Sequence, residues 1–213
     1  MELYGYWRSS ASYRARIALN YKQLDYNYIP VHLIKEGGEQ HKQSYRQLNP
    51  NGLVPTLVDG SVILHQSLAI MEYLDEKYPE PSLLPGNAQK RGAIRALSLD
   101  IASELQPLIN LRVQQYLVRE LGADDEAKQA WLQHWFSQSF TAFERNLEEV
   151  SGKFCVGDEF SMADVCLVPQ VYSAERFGIA LENYPLLREV YQRLIELPWV
   201  ANAHPSQQPD AES

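Results

Sequence analysis

Every strand signal in this chain of 213 residues precedes the stretch Pro79-Glu80-Pro81-Ser82-Leu83-Leu84-Pro85-Gly86, and everything after it carries helical periodicity. Proline lacks the amide hydrogen that regular elements need, so no helix or strand runs through such a segment. The division excludes one mixed sheet spanning the chain. It predicts an α/β domain over residues 1–80 followed by an all-helical domain over residues 88–213.

Within the first part, residues 3–6 read as a strand, 12–21 as a helix and 26–31 as a second strand, a β-α-β opening. Gly37-Gly38 and Asn49-Pro50-Asn51-Gly52 supply turn residues. Residues 54–58 and 62–64 flank Asp59-Gly60 as a hairpin, and residues 67–78 form a helix on which Leu68, Met71 and Leu74 recur. Beyond the proline-rich stretch, long helices are expected near residues 88–117 and 125–149, the first kinked or ended by Pro107. Ser161-Met162-Ala163-Asp164 has the residues of a capping box, with Phe160 and Val165 in staple positions. That signal concerns folding and starts a buried helix. The carboxyl tail from His204 to Ser213, polar and carrying Pro205 and Pro209, is expected to be loosely ordered.

Composition narrows the function. Apolar residues make up 45% and charged residues 22%, which are globular values. A net charge of −8 argues against a nucleic-acid backbone as ligand. No apolar run approaches the roughly 20 residues of a membrane span, and Met1-Glu2-Leu3 leads into a strand rather than a basic leader. A cytoplasmic, membrane-free protein is the expectation. Cys155 and Cys166 sit in apolar surroundings and read as packing residues of a reduced compartment. His32, His41, His65, His134 and His204 lack paired ligand spacing, so no metal is expected.

The segment Tyr6-Trp7-Arg8-Ser9-Ser10-Ala11-Ser12-Tyr13-Arg14-Ala15-Arg16-Ile17-Ala18-Leu19 runs a strand into a hydroxyl-rich turn and then a helix. A helix start offers unpaired N–H groups and partial positive charge, to which Ser9, Ser10 and Ser12 add donors for an anion or thiolate. Ser12 equally suits a plain N-cap. No histidine neighbours Ser9, so the sequence holds no Ser-His-Asp logic and the hydroxyl is read as a stabiliser rather than a nucleophile.

These motifs resemble the zeta class of the cytosolic glutathione transferases. The likeness continues through Leu48-Asn49-Pro50, Val54-Pro55-Thr56-Leu57, His65-Gln66-Ser67-Leu68-Ala69-Ile70, Gln106-Pro107-Leu108 and Leu167-Val168-Pro169-Gln170-Val171. It implies a thioredoxin-like N-terminal domain, an all-helical C-terminal domain, a homodimer, and glutathione as cofactor. It implies that Ser9, with Ser10 and Ser12, serves the glutathione thiolate. Pro55 is then a cis proline exposing the backbone of Val54 to the cysteinyl part, while Gln66 and Ser67 hold the γ-glutamyl end. Arg14, Gln40, Gln106 and Asn110 are further expected glutathione contacts. Arg14 and Arg16, alternating along one helix, have a competing reading as solvated residues or pairs across a dimer.

The implied reaction is glutathione-dependent isomerisation of maleylacetoacetate to fumarylacetoacetate in tyrosine and phenylalanine breakdown. Its substrate is a small dianionic diketo acid, for which Arg8, Arg112 and Arg176 are candidate clamps, each also readable as a surface or interface ion pair. Ala11 stands where the class carries cysteine. Arg112 replaces a small hydroxyl residue of some relatives, which opens maleylpyruvate as an alternative substrate. General glutathione conjugation and a non-catalytic binding module are the other readings.

Overall fold

The computed structural model describes residues 1–212 and divides into two compact units. One comprises Met1–Leu83 with the segment from Glu196 onward, and the other is Leu84–Ile195.

The first unit is built on β1 (Glu2–Gly5), α1 (Ser10–Tyr21), β2 (Asn27–Pro30), α2 (Gln43–Leu48), β3 (Thr56–Asp59), β4 (Val62–His65) and α3 (Ser67–Lys77). The sheet order is β2-β1-β3-β4, with β1 parallel to β2 and both other pairings antiparallel. Leu3 faces Leu57 across β1 and β3, and both are buried. Ile17, Ala18 and Leu19 of α1 and Ile70, Met71 and Leu74 of α3 are fully buried, and the two helices pack together. Apolar burial of this kind supplies most of the helices' stability.

Register places the loops. Thr56 lies opposite Tyr4 on one side and His65 on the other, while Gly5 lies beside Pro30. The chain therefore leaves β1, β2 and β4, and enters β3, at one end of the sheet. Both α1 and α3 begin at that end.

Two expectations are corrected here. The polar tail from His204, expected to be loosely ordered, is bonded into the first unit: Asp210 accepts from the Trp7 N–H, and Glu212 pairs with Lys35 and His32. Ser213 lies outside the described residues. Arg14 and Arg16 are not solvated, being 2% and 0% exposed. The proline-rich exit is also tied down. The buried Lys22 ammonium donates to Asp75 Oδ1 at 2.6 Å and to the carbonyls of Tyr78 and Pro81 at 2.6 and 2.8 Å.

In the second unit α4 (Ala88–Leu99) passes into a π-helical turn (Asp100–Leu105), α5 (Gln106–Leu108) and α6 (Leu111–Arg119), so the expected long helix is broken around Pro107. The Gln106 N–H reaches back to the Ile101 carbonyl, the widened ladder typical of a π turn. α7 (Asp125–Val150) buries Leu132, Phe136, Phe140, Phe143 and Leu147 at helical spacing. α8 (Met162–Arg176) is almost wholly buried, and its start is held by Asp164, which accepts from the N–H groups of Ser161 and Cys155 at 2.8 Å each. α9 (Pro185–Ile195) is capped by Glu144 through the N–H groups of Leu186 and Leu187.

Candidate active site

At the end of the sheet where α1 begins, Ser9 is the N-cap, in extended conformation, and its hydroxyl oxygen accepts the Ser12 N–H at 3.2 Å. This corrects the assignment of the cap to Ser12 and moves the helix start to Ser10. Ser12 is fully buried, and its hydroxyl accepts from the Tyr6 N–H at 3.3 Å. Gly5 makes room for it, since a Cβ there would stand 3.2 Å from Ser12 Oγ. Ser12 thus seats α1 on β1, and of the three serines Ser9 and Ser10 remain half-exposed. Among the described residues the Ser9 hydroxyl donates to nothing. An alcohol accepting at oxygen keeps its proton for another acceptor.

Arg8 is half-exposed, its guanidinium 5.1 Å from the centre of the Trp7 ring, and it joins no ion pair among the described residues. Arg16 donates to the carbonyls of Ala203 and Trp7 at 3.0 and 2.9 Å, and it is braced as well by Tyr6 O at 3.5 Å. Arg14 is buried in the same helix.

The Val54–Pro55 peptide is cis, as the resemblance implied. The loop leading to it is fixed by a buried network that sequence reading took only for a turn. The Tyr45 hydroxyl and Asn49 Nδ2 both donate to the Leu53 carbonyl, at 2.6 and 2.7 Å, and both reach Thr56 Oγ1, at 2.9 and 3.2 Å. The only sequence signal for this network is Asn49 preceding a proline in a turn. Gly52, at φ +60°, is required beside it, because a Cβ would lie 3.0 Å from the Gln40 carbonyl. Gln40 itself is 8% exposed; its amide nitrogen donates to the Leu33 carbonyl at 3.2 Å, while Oε1 is buried without a partner.

α3 opens on Gln66, which holds a positive φ of 73° despite its side chain and makes no side-chain cap. Strain of that kind persists where the surroundings impose it. With the first intrahelical bond running from Ile70 to Gln66, the N–H groups of Ser67, Leu68 and Ala69 lack helical acceptors. Ser67 is buried and Gln66 exposed. An uncapped helix start is suited to a carboxylate.

Four predicted residues belong to the helical unit. Gln106 opens α5 and is half-buried. Asn110 caps α6, its side-chain Oδ1 accepting the Arg112 N–H at 3.1 Å. Arg112 is exposed. Arg176 is also exposed, at the far end of α8 with its guanidinium 4.1 Å from the Phe177 ring centre.

One end of the first sheet therefore gathers a hydroxyl with a free proton, an uncapped helix start, a cis peptide on a fixed loop and a guanidinium without an ion pair. The hydroxyl proton, the helix-start N–H groups and the guanidinium are all hydrogen-bond donors, the chemistry that stabilises a bound anion.

The family described as "Glutathione S-transferase, N-terminal domain" matches residues 3–82, and "Glutathione S-transferase, C-terminal domain" matches residues 113–203. A probable maleylacetoacetate isomerase of Vibrio cholerae is 53% identical over 209 residues, 98% of this chain and 97% of its own. Among solved structures, a bacterial maleyl pyruvate isomerase of the zeta class superposes with a TM-score of 0.96 at 44% identity, over 100% of both chains. A maleylacetoacetate isomerase of Methylobacterium extorquens, with bound malonate and glutathione, gives 0.95 at 36% identity, again over 100% of both.

Proposed function

We propose that this chain, which belongs to the zeta class of the glutathione S-transferase family, is a glutathione-dependent cis–trans isomerase of maleylacetoacetate. The observation that carries the reading is Ser9, whose oxygen is engaged by the helix it caps while its proton is free for a thiolate.

The residues present fit glutathione. The three unpaired N–H groups at the start of α3 suit its γ-glutamyl carboxylate, the backbone of Val54 beside the cis proline suits its cysteinyl amide, and the orphaned Gln40 Oε1 offers an acceptor. Gln66, Ser67 and Ser10 complete the candidate contacts of the first unit. When bound, the cofactor would supply the thiolate nucleophile for reversible addition to the cis double bond. Ser9 donates to that sulfur and, with the positive start of α1, lowers its proton affinity. A thiol of pKa about 8.5 brought down by ~2 pH units gains roughly 25-fold in thiolate at pH 7. Arg8 holds a substrate carboxylate in its fork, so that the dianion is oriented before its double bond is attacked.

Malonate in the Methylobacterium relative supports a site open to diacids. The same reading makes the protein a cytoplasmic homodimer. A second reading, maleylpyruvate as substrate, is favoured by the 0.96 superposition on a protein of that name. Turnover of the two substrates is compared with and without glutathione. A glutathione-dependent preference for maleylacetoacetate in kcat/KM is expected. The opposite preference selects the second reading, and inactivity on both rejects an isomerase.

A further inference from the structure

The loop that presents Ser9 is not held by the sheet alone. Both main-chain polar groups of Trp7, one in each of two successive peptide units, are bound by charged side chains: its carbonyl accepts from Arg16 Nη2 at 2.9 Å, and its N–H donates to Asp210 Oδ2 at 3.0 Å. The adjoining Tyr6 carbonyl accepts from the Ser9 N–H at 3.0 Å, so the turn closes on itself one residue upstream. Arg16 is anchored in turn to the Ala203 carbonyl at 3.0 Å, and Asp210 to the Tyr28 hydroxyl at 3.3 Å. Ala203 and Asp210 both belong to the C-terminal segment. Nothing in the fold's sheet or helix ladders requires these bonds, and the tail pairs again at Glu212 with Lys35 and His32. Asp210 Oδ1 is buried without a partner, so this carboxylate sits where its bond to the loop compensates only part of its desolvation.

We propose that Asp210 is a positioning residue for the thiolate site: it holds the peptide before the Trp7 Cα while Arg16 holds the peptide after it, and together they fix where Ser9 holds its hydroxyl. The C-terminal segment is then part of the active site's support, reaching the reacting sulfur through the backbone of residues 7–9. Charge-assisted hydrogen bonds are the stronger kind, and a catalytic donor displaced by a fraction of an ångström loses much of its effect. This inference rests on the function proposed above only in naming glutathione as the thiol.

The full chain is compared with Asp210→Ala and Asp210→Asn by two measurements. The first is amide hydrogen exchange across residues 6–9 with no ligand present. The second is ultraviolet titration of the thiolate of bound glutathione, with affinity measured alongside. Asp210→Ala is expected to speed exchange at Trp7 about tenfold and to raise the bound thiol's apparent pKa, with glutathione affinity changed less than threefold. Asp210→Asn keeps an acceptor oxygen for the Trp7 N–H and is expected to restore protection and most of the thiol shift. Exchange in Asp210→Ala equal to the parent overturns the clamp, and unchanged thiol titration overturns its link to the site. A parent chain that binds no glutathione rejects the proposed function instead, and the exchange measurement then decides the clamp by itself.

Discussion

Ser9 Oγ stands 3.2 Å from the backbone nitrogen of Ser12, so one hydroxyl caps the start of the first helix through its oxygen and keeps its own proton. The two roles separate by substitution. Ser9→Ala removes the cap, costing about 1 kcal/mol of stability, and removes the donor to a thiolate, costing about 1.5–3 kcal/mol in the reaction. The expected outcome is a small fall in melting temperature with kcat/KM lowered roughly tenfold to a hundredfold. Ser9→Thr keeps a hydroxyl and should retain the stability and most of the activity. Thermal unfolding and steady-state kinetics on both variants check this.

Local signals were legible where they were periodic or punctuated. The hairpin around Asp59-Gly60 formed where alternation and turn residues agreed, with β3 and β4 paired from Thr56–His65 to Asp59–Val62. The Ser161-Met162-Ala163-Asp164 box starts α8, and the cis bond at Pro55 followed from resemblance. Which serine caps α1 was not legible, because Ser9, Ser10 and Ser12 all have capping chemistry and the choice depends on Ser12 packing against Gly5. The burial of Arg16 was hidden for a related reason: its carbonyl partners Trp7 and Ala203 lie 9 and 187 positions away, and no local pattern encodes them. Asp210 looked like tail polarity for the same cause.

Asn49 offers a test of the loop that bears the cis peptide. Its amide donates to the Leu53 carbonyl and reaches Thr56 Oγ1. Asn49→Ala removes donors from a buried network at about 1–3 kcal/mol, although Tyr45 still reaches Leu53. Chemical denaturation should register that loss, and the apparent KM for glutathione should rise while kcat is less affected, since Ser9 is on a different loop. Tyr45→Phe removes the partner donor to Leu53 and should act in the same direction.

Arg8 is distinguished from the other candidate clamps by its half-exposed guanidinium, stacked on Trp7 and without an ion pair among the described residues. If it forks a substrate carboxylate, Arg8→Ala should lower kcat/KM for the dianion roughly tenfold to a hundredfold and leave glutathione affinity unchanged. Arg8→Lys should fall between, keeping charge but not the planar fork. Isothermal titration with glutathione alone, beside kinetics with the diacid, separates a substrate clamp from general loosening of the loop. Full turnover by Arg8→Ala would remove it from the mechanism.

Glu39 makes the neighbouring loop sensitive to acid. Its carboxylate accepts the His32 N–H at 2.8 Å and pairs with Lys42, and these contacts, the backbone bond first, hold it below the usual carboxylate range. A group whose pKa is lower in the folded state binds fewer protons there than in the unfolded chain. Its contribution is therefore complete above the unfolded pKa of about 4.3 and is lost as pH falls through the lowered folded value. The segment from His32 to Gln40 should exchange amide hydrogen faster as pH drops through that window, once the intrinsic pH dependence of exchange is divided out. Glu39→Gln should abolish the pH dependence, because its amide oxygen still accepts the His32 N–H without titrating. An acid response that persists in Glu39→Gln would assign the effect to another carboxylate.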